Sequence, residues 1–165
     1  MTRLKRYNIT LIFMLVFLAQ SVAVLANTKP LIVASTKPLA IIAKSAVADA
    51  ATVEYLIPAN QSAHDYSLPV SALQKIAKAD VIIWIGPDFE GSSAKTMAKV
   101  AKTKLITAMG LADYPTTPHH SDAHRDHSDH NMARDPHIWL NPQNGNNIAF
   151  DIQRRLDLPI RQIIT

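Results

Sequence analysis

Apolar residues along this chain follow two rhythms. Short continuous runs alternate with longer stretches in which apolar residues recur every three or four positions. Leu31-Ile32-Val33-Ala34-Ser35 is a run of the first kind, and Thr36-Lys37-Pro38 leads from it into Leu39 to Ala50. Within that second stretch Leu39, Ile42, Ala43, Ala46 and Val47 fall on one helical face, and Pro38 suits a first helical turn. Val53 to Ile57 predicts a second strand ended by Pro58. After a loop from Ala59 to Leu68, Pro69 opens a helix with Leu73, Ile76 and Ala77 on one face. Asp80 to Gly86 is the clearest strand, an unbroken apolar run that suits burial on both faces of a parallel sheet. A helix is expected from Phe89 to Ala101 and a fourth strand from Leu105 to Ala108, ended by Gly110. Leu111 to Arg134 is polar, with Pro115 and Pro118. Ile138-Trp139-Leu140 is apolar again, and Asn141-Pro142 reads as cap and first turn of a helix running to about Leu156, before Pro159.

Strands alternating with helices at this spacing predict an α/β fold, a parallel sheet flanked by helices. In such sheets the loops leaving the carboxyl ends of the strands converge on one edge, where ligands bind. His64 follows the second strand, Asp88 the third and His137 the fourth, so all three are expected at that edge. Each histidine taken singly is as readily an ordinary surface or packed side chain as a ligand. Asp65 is a candidate either to orient a ligand histidine or to cap a helix.

The amino end reads differently. Arg3, Lys5 and Arg6 precede a nearly continuous apolar run from Ile9 to Val24, and Val24-Leu25-Ala26 offers small residues for cleavage. This is the pattern of an export signal over residues 1–26, with an uncleaved membrane anchor as the alternative. Removing Arg3, Lys5 and Arg6 with it leaves 14 basic against 13 acidic side chains, and the formal charge falls from +4 to +1. The basic balance therefore belongs largely to the leader, and nucleic-acid binding loses its support. There are no cysteines, which excludes disulfides and thiolate metal sites. Only four glycines are present, with no HExxH, no GxSxG and no phosphate loop, so the chain is not read as an enzyme.

Five of the seven histidines, His119, His120, His124, His127 and His130, lie in one tract interleaved with Asp122, Asp126 and Asp129. Neutral imidazoles and carboxylates in an exported chain without thiols point to a divalent cation, zinc first and manganese less so. The plain alternative is a solvated, low-complexity surface loop.

Taken together, LIVASTKPLAIIA, then SAHDYSLPVSALQKIAKADVIIWIGPDFE, the His/Asp-rich tract and DPHIWLNP, in this order, resemble the zinc-specific substrate-binding proteins of ATP-driven importers. These are the ZnuA type of the cluster A-I, TroA-like family. The resemblance covers Leu31 to about Ile152. It implies a periplasmic protein that captures Zn²⁺ and delivers it to the membrane permease of an ABC importer. It places ligands at His64 and His137, and makes His119 to His130 a loop that collects or senses zinc. It divides the chain into a signal at residues 1–26, a metal-binding lobe at 27–142 with the His-rich loop at 111–134, and a shortened linking helix and tail at 143–165. Family members carry a second lobe that supplies a third histidine and a carboxylate, and the 165 residues here match only the amino-terminal lobe. Asn60-Gln61-Ser62-Ala63 also stands where the family commonly has Gly-Ala-Ser-Pro before the first ligand. A homo-oligomer through the face that meets the second lobe is one expectation. A metal buffer or adhesin-like surface protein that binds through the tract alone is the competing function.

Overall fold

The computed structural model describes residues 28–113 and 135–163. Four parallel strands, β1 (Leu31–Ala34), β2 (Thr52–Tyr55), β3 (Val81–Trp84) and β4 (Leu105–Thr107), form one sheet in the order β2-β1-β3-β4. Leu31 is in register with Thr52, Ile32 with Val81, and Ile82 with Leu105. Asp80 fixes the start of this register, because its carboxylate accepts the Leu31 N–H at 2.8 Å while its own N–H donates to the Leu31 carbonyl at 2.9 Å.

Alternation along the strands divides the core into two layers. Ile32, Ala34, Val81, Ile83 and Ile85 meet helix α1 (Lys37–Val47) and the last long helix. Val33, Ile82 and Trp84 meet helix α2 (Val70–Lys78) and Met97 of the short helix α3 (Ala94–Met97). Burial of β3 on both faces is complete, as its unbroken apolar run requires. In α1, Leu39, Ile42, Ala43, Ala46 and Val47 are all buried, and Pro38 lies in the first turn. Helix α4 (Pro142–Arg155) is capped by Asn141, whose side chain accepts the Gln143 N–H at 2.9 Å, and adds Ile148, Ala149 and Ile152 to the α1 layer. Among the described residues no helix is long and apolar enough to cross a membrane.

Two expectations need correction. The stretch from Phe89 to Ala101 is not one helix. Glu90 turns inward, Gly91–Ser93 forms a 3-10 turn, and only Ala94–Met97 is α-helical. The buried face of α2 is Ala72 and Ile76, while Leu73 is 40% exposed and Ala77 is also exposed. Both choices satisfy helical spacing, so periodicity could not separate them. Helix α4 ends where the sequence indicates, at Arg155 with Leu156 as its C-terminal cap and before Pro159, and the chain then reverses through Asp157 at φ +53°. The buried Gln153 holds that reversal, donating to the Ala46 carbonyl at 3.0 Å and accepting the Arg161 N–H at 3.1 Å.

Candidate metal site

β1 leads to a neighbour on one side, β2, and the chain then crosses to β3 on the other, so the topological switch point lies between β1 and β3. The loops at that edge carry the candidate ligands. His64 comes from the segment after β2 and His137 from the segment after β4, the two outermost strands. Phe89, in the turn after β3, stands between them. Its ring centroid is 4.3 Å from that of His64 and 5.6 Å from that of His137. Trp139 completes the cluster, 5.2 Å from His137 and 5.9 Å from Phe89. Phe89 is buried whereas both histidines are exposed. A fixed aromatic floor therefore carries two imidazoles that solvent can reach. Beside them lies a cleft of about 380 Å³ lined in part by Thr36, Ile41, Pro58, Phe89, His137 and Trp139.

His137 is oriented twice by one neighbour. Asp135 Oδ1 accepts the His137 backbone N–H at 2.9 Å and lies 2.8 Å from its Nδ1. Those two contacts, the backbone one first, hold the Asp135 carboxyl below the ordinary range for an aspartate. A carboxylate at Nδ1 keeps the ring proton there and leaves the Nε2 lone pair for a metal. His64 is held through its backbone, since Ser92 Oγ donates to the His64 carbonyl at 3.2 Å.

Beneath this floor lies Glu90, fully buried, with Oε2 accepting the Ile85 N–H at 2.9 Å. Burial pushes its carboxyl pKa up, and the hydrogen-bonding groups around it offset only part of that rise. Ser35 Oγ, Thr36 Oγ1 and Glu90 Oε1 are buried and without hydrogen-bond partners.

The other candidates divide. Asp65 and Asp88 are exposed, and neither makes a hydrogen bond or ion pair among the described residues. His119, His120, His124, His127 and His130 lie outside the described residues. Among the described residues no three of His, Asp and Glu gather closely enough to hold a metal ion. His64 and His137 thus present two nitrogen donors, half of a tetrahedral zinc shell. Asp135, Phe89 and Glu90 were not singled out as site residues in the sequence. The signal for Asp135 was present, a carboxylate two residues before a candidate ligand. The signal for Phe89 was masked by its apparent place at the start of a helix.

Residues 32–157 match the family model described as zinc-uptake complex component A, periplasmic. The chain belongs to that family. Its members are metal-binding solute-binding proteins, not enzymes. Among curated members, the high-affinity zinc uptake system protein ZnuA of Haemophilus influenzae is 39% identical over 84 residues, covering 50% of this chain and 24% of that protein. The protein of the same name from Yersinia pestis is 31% identical over 135 residues, covering 68% of this chain and 41% of that one. The chain therefore spans well under half the length of these relatives. Among solved structures, the Zn(II)-bound ZnuA-like domain of Streptococcus pneumoniae AdcA superposes with a TM-score of 0.58 at 26% identity, over 79% of this chain and 44% of that one. The periplasmic zinc-binding protein TroA of Treponema pallidum, 17% identical with a TM-score of 0.60, shares the fold over 78% of this chain and 44% of that one. The family fold and the parallel α/β lobe agree.

Proposed function

We propose that this chain captures Zn²⁺ in the periplasm through His64 and His137, and that its export signal is residues 1–26. The observation that carries the reading is the pair of exposed imidazoles on the shared Phe89 floor, one of them with Nδ1 already engaged by Asp135. Two imidazole nitrogens suit zinc better than manganese, which favours carboxylate oxygens. The zinc-uptake names of the relatives support the same cation.

Two donors do not close the shell. Water, the His/Asp tract, a second lobe or a second copy of the chain would supply the rest over this edge, where Ile41 and Leu140 are exposed apolar side chains flanking His137. Delivery would then be to the permease of an ABC importer, with His119, His120, His124, His127 and His130 gathering the ion at lower affinity.

Calorimetric titration of residues 27–165 with Zn²⁺ tests this. The comparison includes the His64→Ala/His137→Ala double variant and a deletion of residues 119–130. Loss of the tight site in the double variant supports capture at the edge. Loss only in the deletion would make the chain a metal buffer acting through its His/Asp tract.

A further inference from the structure

Both halves of the His64–His137 site lean on one short segment, Ile85 to Ser92. Phe89 gives the ring on which the two imidazoles rest, and Ser92 gives the hydroxyl that holds the His64 backbone. The shape of this segment is set from inside. The Phe89 and Glu90 N–H groups both donate to the Gly86 carbonyl, at 3.2 and 2.9 Å, and the Glu90 side chain folds back so that Oε2 accepts the Ile85 N–H. Ile85 is itself anchored, because its carbonyl accepts the Met109 N–H at 3.0 Å.

A carboxyl group buried in this way costs free energy, and the fold places it where a leucine would pack at no such cost. Its second oxygen has no partner, and the Ser35 hydroxyl beside it eases the charge without making a well-formed hydrogen bond. A buried carboxyl with one unpartnered oxygen calls for an explanation, and the turn that its other oxygen closes supplies one. We propose that Glu90 is a positioning residue of the metal site, fixing the Ile85–Ser92 turn so that Phe89 and Ser92 hold His64 in register with His137. The metal part of this inference rests on the capture role proposed above. The positioning part does not.

The test uses residues 27–165 carrying Glu90→Ala, Glu90→Asp, Glu90→Gln or Ser92→Ala. Zinc affinity is measured by chelator competition, and the His64 ring is followed by NMR in the metal-free protein. Gln keeps an oxygen for the Ile85 N–H and turns its amide toward the Ser35 oxygen beside it, so it should retain native affinity and a native His64 signal. Asp is a methylene too short to reach the Ile85 N–H. It and Ala should weaken zinc binding about tenfold, the scale of losing a group that orients a ligand, and should move the His64 resonances as the Phe89 ring shifts. Ser92→Ala removes one neutral hydrogen bond and should weaken binding by about two- to fivefold at an unchanged unfolding midpoint. The proposal is overturned if the Asp and Ala variants unfold earlier yet keep the native His64 signal and native affinity. If Ala does not fold, Asp decides. If the unsubstituted protein has no zinc site dependent on His64 and His137, the capture role has failed, and the metal-free His64 spectrum alone settles the positioning role.

Discussion

Asp135 holds His137 at two points at once, its single Oδ1 atom meeting both the backbone N–H at 2.9 Å and the ring Nδ1 at 2.8 Å. The carboxylate and the imidazole are two residues apart, so the orienting group travels with the ligand on the same loop. Asp135→Ala should therefore leave the fold alone and loosen the ring. We expect zinc affinity to fall by about tenfold or more, with the metal-free unfolding temperature unchanged, in a competition assay beside a thermal melt. An equal loss from a remote carboxylate such as Asp49→Ala would show that bulk charge is responsible instead.

Gly86 has φ +152°, and a Cβ placed there would come 3.3 Å from Met109 Cγ. Gly86→Ala combines a backbone region that L-residues avoid with a tight contact, and should cost about 1–3 kcal/mol in urea unfolding. Gly110→Ala, where a Cβ would meet nothing within 4 Å, is the control and should stay within about 0.5 kcal/mol.

Phe89→Ala removes a buried ring that meets His64, His137 and Trp139. A cavity of that kind costs about 3–5 kcal/mol, and Phe89→Leu should recover most of it. Stability should thus return with Leu, while zinc affinity should not return fully, because an aliphatic side chain cannot present a flat face to two imidazoles.

Two carboxyl groups give opposite pH dependences. Burial pushes the Asp151 carboxyl up, but the Arg154 and Arg155 guanidinium groups at 2.7 and 2.8 Å outweigh it and hold the group below the ordinary aspartate range. A depressed folded pKa gives stability that is present above the unfolded value and lost as pH falls through the folded one. Glu90, held above the ordinary glutamate range by burial, works the other way: its contribution is present below the unfolded value and lost as pH rises through the folded one. Melting temperatures across the acid range should show Asp151→Asn with a shallower acid-side loss than the native chain. Glu90→Gln should remove the decline that begins above the ordinary glutamate pKa.

The sheet was readable because β1 and β3 are short apolar runs and the stretches holding β2 and β4 are cut off by Pro58 and Gly110, with β3 in particular suited to burial on both faces. The common edge of His64 and His137 followed from each lying after the carboxyl end of a strand in a parallel sheet. What the pattern hid was the use of single side chains turned against their expected roles. Phe89 and Glu90 resemble the opening of a helix, yet one faces the candidate ligands and the other bonds backward to Ile85. Asp65 looked like an orienting carboxylate because it adjoins His64, but the group that takes this part is Asp135, beside the other histidine. Such choices turn on side-chain direction over two or three residues, below the resolution of hydrophobic spacing.

His64 and His137 depend from β2 and β4, the strands at opposite margins of the sheet. A cation held by both would act as a cross-tie between those margins, added to the Phe89 ring that both histidines already touch. Fraying of either margin would then require release of the ion, so amide exchange along β2 and β4 should slow together when zinc is present. The ion would be gripped by the whole width of the sheet, and let go only when one margin gives way.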